Sequence, residues 1–114
     1  MSKIYTGRVG EKRVVRYLES NGYEVLESNL RFHHREVDIV AKKGGVIAFV
    51  EVKTRKTGRF GMGMDSIRSG KMRNIVSVAR YYIEKHRLYD YNVRFDVASI
   101  DNENLTYIED AFHP

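Results

Sequence analysis

Apolar and polar positions along the chain recur with two different periods, and the changes of period mark its elements. Over Thr6 to Asn21 the apolar residues Val14, Val15 and Leu18 fall at helical spacing, and Asn21-Gly22 supplies a stop signal. Tyr23 to Phe32 alternates as a strand, with Tyr23 and Val25, then Leu30 and Phe32, on either side of a polar centre at Glu27-Ser28-Asn29 that predicts a bend or irregularity. Two runs of β-branched and aromatic residues then flank Gly44-Gly45, the pattern of a hairpin. From Lys71 onward, Met72, Ile75, Ala79, Tyr82, Ile83 and His86 mark one face of a second helix, which Asp65 or Ser66 can cap and whose first turns Gly70 weakens. Asn92 to Ile100 and Leu105 to Ile108 read as two further strands joined by the Asx-rich turn Asp101-Asn-Glu-Asn104. The order α, β, β, β, α, β, β predicts an α/β fold, a mixed central sheet flanked by two helices.

The hairpin specifies its own register. If Gly44 and Gly45 form the whole turn, Lys43 pairs with Val46, and counting back sets Val40 against Phe49, Ile39 against Val50 and Val37 against Val52. The same count sets Asp38 against Glu51 and Glu36 against Lys53. A four-residue loop keeps this pairing. A three-residue loop opposes Asp38 to Val50 and loses the apolar match, a slip that sheet parity makes costly.

Two carboxylates opposed on neighbouring strands repel, and burial penalises both. Glu51 and Lys53 lie two apart and share a face, which Asp38 joins through the pairing. Such a group is either an ion-pair cluster on an edge strand or a pair of oxygen donors for a hard divalent cation such as Mg²⁺, with water completing the coordination. The pattern alone leaves both readings open.

Composition narrows the chemistry. A chain of 114 residues is the size of one domain, spanning 1–114. It contains no cysteine, which removes disulfides, thiolate nucleophiles and zinc-thiolate sites together. No apolar run approaches the ~20 residues that cross a bilayer, and Met-Ser-Lys-Ile-Tyr-Thr lacks the apolar centre of a signal peptide. The expectation is a cytoplasmic protein without a membrane partner. The net charge of +5 is unevenly spread: ten Lys or Arg face two acids from Lys53 to Arg87, whereas one Arg faces six acids from Leu88 to Pro114. A concentration of cations suits a phosphate-binding surface, though a solvated helix face has the same composition.

Further candidates follow along the chain. Glu11 shares the inward face of the first helix with Val14 and Leu18, where an acid is expensive unless paired, bound to a metal or held near solvent at the helix start. His33-His34 reads as an exposed turn. Lys56 to Met64 is a loop rich in glycine, longer than a connection needs, from which Arg55, Lys56 and Arg59 can close over a polyanion. Lys71 and Arg73 add charge on the second helix. Asp96 lies mid-strand on the face opposite Phe95 and Val97, either as an outer acid of the site or as the partner of Arg94. His86 faces a helix C-terminus. No serine-histidine-acid order or P-loop competes with the carboxylates.

These blocks resemble a known family. The order αβββαβ, with an acid on the first helix, Asp38 on the second strand and Glu51-Val52-Lys53 on the third, resembles the PD-(D/E)xK superfamily of restriction-endonuclease-like nucleases, which includes archaeal Holliday-junction resolvases. Gly7-Arg-Val-Gly-Glu11, Glu36-Val-Asp-Ile-Val-Ala41, Phe49-Val-Glu-Val-Lys-Thr-Arg55, Phe60-Gly61, Lys71, Arg94-Phe-Asp-Val97 and Ala111-Phe112 are similar to the bacterial YraN family and cover nearly the full length. The resemblance implies that Asp38, Glu51 and the Val52 carbonyl hold Mg²⁺ or Mn²⁺. It further implies that Lys53 orients the attacking water or steadies the pentacovalent charge, and that Glu11 holds a second cation or an outer water. Two positions depart from the pattern. Val37 stands where the superfamily name has Pro, and Arg35 stands where the family has Gly, setting a cation where it is expected to neutralise part of the carboxylate field.

The function these readings predict is Mg²⁺-dependent endonucleolytic hydrolysis of DNA, branched or damaged, with Asp38, Glu51, Lys53 and Glu11 at the centre. Arg55, Lys56, Arg59, Lys71 and Arg73 are the expected nucleic-acid contacts, with DNA favoured over RNA. Resemblance to resolvases implies a homodimer. The alternatives are a non-catalytic nucleic-acid-binding or assembly protein that retains the nuclease fold, and a domain that binds only protein.

Overall fold

The structure is a computed structural model that describes residues 3–55 and 69–113. Its elements run α1 (Lys3–Ser20), β1 (Glu24–Phe32), β2 (Arg35–Lys43), β3 (Val46–Arg55), α2 (Ser69–His86), β4 (Asn92–Asp101) and β5 (Asn104–Ile108). This is the predicted order. The strands form one sheet in the order β1-β2-β3-β4-β5, antiparallel throughout except for the parallel pair β3 and β4, between which α2 makes the crossover.

Both helices stop by the same device. Tyr23 N–H bonds Leu18 O at 3.0 Å and Gly22 N–H bonds Glu19 O at 3.1 Å, with Gly22 at φ 88°, so the orphan carbonyls of α1 are met by a Schellman turn. Leu88 N–H to Ile83 O at 3.0 Å and Arg87 N–H to Glu84 O at 3.3 Å repeat it after α2, here with Arg87 at φ 53°.

One apolar cluster fills each face of the sheet. Val14 and Leu18 of α1 pack on Ile39, Ala41, Ala48, Val50 and Ala98. Ile75, Val78 and Tyr82 of α2 pack on Val37, Val40, Phe49, Phe95 and Val97. Gly10 brings α1 close: a Cβ there would stand 2.8 Å from Thr54 Oγ1 and 3.4 Å from Ile100 Cδ1. A bare backbone at this position therefore sets the distance between α1 and the end of β3, and with it the reach of Glu11.

The hairpin register holds from Lys43 against Val46 to Ile39 against Val50, as predicted, and Gly44 takes φ 57° in the turn. Beyond Ile39 the ladder ends, so the predicted opposition of Asp38 and Glu51 falls past its last pair. Alternation breaks there as well. Val37 packs under α2 while Ile39, two residues on, packs under α1. Across from Asp38 stands Asn29, at φ 57°, between the pairs Ser28 with Ile39 and Leu30 with Val37. This is the irregularity that the polar centre of β1 foretold, accompanied by a bulge between Val25 and Glu27.

His33 and His34 form the β1-β2 turn at φ 49° and 64°, both exposed. Asp96 is a structural acid. It is fully buried and takes Arg94 Nε and Nη2 at 2.9 Å, the Tyr107 hydroxyl, and the Asp110 N–H at 2.9 Å. Of the two readings of Asp96, the pairing with Arg94 is the one observed. His86 ends α2 with its ring 4.3 Å from that of Tyr82. Among the described residues no helix is long and apolar enough to cross a membrane.

Candidate metal and nuclease site

The break at Asp38 builds the site. With alternation reversed, Glu36 and Asp38 turn toward α1, and carboxylate oxygens of Glu11, Glu36 and Asp38 come within 4.8 Å of one another. The Asn29 side-chain amide, with its nitrogen toward α1, donates to Glu11 Oε1 at 2.8 Å and Oε2 at 3.2 Å. Arg31 Nε pairs with Glu36 Oε2 at 2.8 Å. Regular pairing would aim the Val52 N–H at Val37; it donates instead to Asp38 Oδ2 at 2.8 Å. A residue's N–H and C=O point to the same side of an extended strand, so the Val52 carbonyl faces the same gap.

On the other side of that gap is Glu51, only 2% exposed. The ammonium of Lys71, in the second helix, lies against Glu51 Oε2, and Lys53 Nζ stands 3.9 Å from the same oxygen. These contacts are ionic: among the described residues Oε2 receives no well-directed hydrogen bond. The sequence placed Lys71 among the phosphate contacts, and the structure sets its side chain on a buried carboxylate.

Charge in the pocket is finely opposed. Burial, then a hydrogen bond and repulsion from Glu51, push the Asp38 carboxyl up from 3.8 to about 7 against the pull of the Val52 N–H and Lys71. Burial and the neighbouring charge of Lys71 lower Lys53. For Lys71, burial works downward but is outweighed by its contact with Glu51 and by the charges of Glu51 and Asp38, so it is raised.

The donor set suits a hard divalent cation. The carboxylates that meet within 4.8 Å are those of Glu11 on α1 and of Glu36 and Asp38 on β2, all oxygen donors, and across the gap the buried Glu51 oxygen is matched, among the described residues, by ammonium groups, where positive charge is in demand. Glu36 was not among the expected site residues. The signal lay in the Glu-Val-Asp spacing, which puts Glu36 and Asp38 on one face.

Arg35 departs from expectation. Its Nη1 donates to Ser77 Oγ on α2 at 2.7 Å, on the face of β2 that Val37 shares and away from that of Glu36 and Asp38. Of the expected nucleic-acid contacts, Arg73 is exposed on α2 and Arg55 ends β3. Lys56 and Arg59, the glycine-rich loop Lys56 to Met64, Phe60-Gly61 and the caps Asp65 and Ser66 lie outside the described residues.

Comparison with known proteins agrees with this architecture. The chain is 43% identical over 112 residues to a UPF0102 protein of Sulfurihydrogenibium sp. (strain YO3AOP1), covering 98% of this chain and 97% of that one. It is 40% identical over 109 residues to a UPF0102 protein of Alkaliphilus metalliredigens, covering 93% and 96%. The fold is similar to that of Hjc, a Holliday junction resolvase of Archaeoglobus fulgidus, with a TM-score of 0.61 and 18% identity over 87% of this chain and 72% of that one. Residues 10–100 match the profile of the uncharacterised protein family UPF0102. The chain belongs to that family, the YraN family its motifs resemble, and carries the restriction-endonuclease-like fold.

Proposed function

We propose that this protein is a divalent-metal-dependent nuclease that hydrolyses DNA phosphodiester bonds, acting on branched or damaged DNA in the cytoplasm. The observation that carries the reading is Glu51, a buried carboxylate beside Asp38 at the end of a strand ladder, balanced among the described residues by Lys53 and Lys71. Asp38, Glu51, Glu11 and the Val52 carbonyl would hold Mg²⁺ or Mn²⁺, with Glu36 beside them. An ion held there would lower the pKa of its water and draw charge from the non-bridging phosphate oxygens. Lys53, more ready to give up its proton than a solvent lysine, orients the attacking water or steadies charge on the phosphorus. Val52 N–H holds Asp38 in place, and Glu11 is held by Asn29.

DNA as the polymer, and a branched form of it, are favoured by the shared fold with a Holliday junction resolvase and by the basic stretch from Lys53 to Arg87. A four-way junction is two-fold symmetric, and cutting two of its four strands at symmetric positions calls for a homodimer. The test is cleavage of duplex, forked and four-way DNA with Mg²⁺ or Mn²⁺, beside Glu51→Ala and Lys53→Ala. Cleavage lost in both variants supports the assignment; cleavage that survives both belongs to a contaminant and refutes it.

One observation favours a second reading, a DNA-binding protein that retains the fold without catalysis: Lys71 already neutralises Glu51. That reading predicts DNA binding that falls steeply with salt and is indifferent to divalent ions and to Glu51→Ala.

A further inference from the structure

Lys71 lies against the carboxylate oxygen that a divalent ion at this site would use. Its ammonium lies against the most buried carboxylate oxygen of the cluster, and its own side chain is 46% exposed, so it can swing out to solvent. Lys53 is held on β3 two residues from Glu51, with 23% of its side chain exposed, and is the less free to leave. Asp38 and Glu51, just past the last β2–β3 pair, cannot both stay charged side by side without compensation, and a monovalent ammonium offers less of it than a divalent ion.

We propose that Lys71 is an internal counter-ion that holds Glu51 when no divalent cation is bound and is displaced when one binds. This rests on the metal reading above and adds its regulation. The displaced ammonium, carried by a half-exposed side chain, becomes available to a phosphate of the substrate. Metal binding and capture of the polyanion are thereby coupled through one side chain, and linkage requires each to favour the other. Lys71 is a positioning residue in this scheme, and charge is the property that matters.

The test is Mn²⁺ affinity at one fixed pH near 8.5, read from the free-ion electron paramagnetic resonance signal, for the wild-type chain, Lys71→Met, Lys71→Gln and Lys71→Arg. Removing the competing charge is expected to tighten Mn²⁺ binding at least about threefold in Lys71→Met and Lys71→Gln. Lys71→Arg, which keeps the charge, is expected to match the wild type. Two neutral variants keep the test usable if one fails to fold. Equal or weaker Mn²⁺ binding in the neutral variants overturns the proposal alone, whereas a wild-type chain that binds no Mn²⁺ overturns the metal reading and this proposal together.

Discussion

Asp38→Asn should stabilise the metal-free protein at pH 8 while abolishing its metal site. The structure pushes the Asp38 carboxyl from 3.8 to about 7, chiefly through burial and then through Glu51. A carboxyl raised in the folded state favours folding fully below its unfolded value, and that contribution is lost as pH rises through about 7. At about 1.4 kcal/mol per pH unit, the ionised group costs about 4 kcal/mol at pH 8, of which about 2–3 kcal/mol accrues between pH 5 and pH 8. Asparagine is a close mimic of the neutral acid. Its amide oxygen can accept the Val52 N–H that Asp38 Oδ2 now takes at 2.8 Å, and its NH₂ can donate to Glu51.

Urea unfolding in EDTA across pH 5 to 8.5 measures this directly. The variant is expected to gain on the wild type as pH rises, reaching about 2–4 kcal/mol at pH 8, a midpoint shift of about 1–2 M. With Mn²⁺ at about a hundredfold over its dissociation constant, the wild type should recover about 2.7 kcal/mol and the variant nothing. An Asn variant that is less stable than wild type in EDTA at pH 8, or a difference that ignores pH, would refute the argument that Asp38 and Glu51 share a desolvated site.

Three other substitutions test how the site is held. Gly10→Ala is expected to cost about 1–2 kcal/mol, because its Cβ would meet Thr54 Oγ1 at 2.8 Å, and Thr54→Ala should return part of it in a double-mutant cycle followed by denaturation. Asp96→Ala should cost about 3–5 kcal/mol by leaving Arg94 and Tyr107 without their buried partner, and Mn²⁺ titration of the folded fraction should be unaltered. Arg35→Ala should leave Mn²⁺ affinity within about twofold and cost under about 1 kcal/mol, since the guanidinium is bound to Ser77; tighter Mn²⁺ binding would place its charge at the carboxylates after all.

What could be read from the chain and what could not divide at Asp38. Up to that point the hairpin obeys the period of two, and Gly44-Gly45 specifies every observed pair from Lys43 to Ile39. Counting further assumes that alternation continues, and parity carries no information about where a strand rolls over. The local mark of the roll is on the neighbouring strand, in the polar run Glu27-Ser28-Asn29, whose Asn29 stands across from Asp38 with a positive φ. The consequences are chemical. Regular alternation would keep Arg35 and Val37 on one face with Ile39, and Glu36 and Asp38 facing α2 with Glu51; the roll sends Arg35 to Ser77 and brings Glu36 and Asp38 to Glu11. Lys71 was harder still to place. Twenty residues and a crossover separate it from Glu51, and no spacing rule links a helix residue to a strand residue at that distance. A buried carboxylate does predict a counter-charge somewhere, and the exposed cations of α2 were the pool to search. A strand that flips its faces at Asp38 gathers the carboxylates of β2 and α1 within 4.8 Å and leaves Glu51 of β3 across the gap. That irregularity, more than any single residue type, is what the proposed metal site rests on, against the alternative of a plain ion-pair cluster within the sheet.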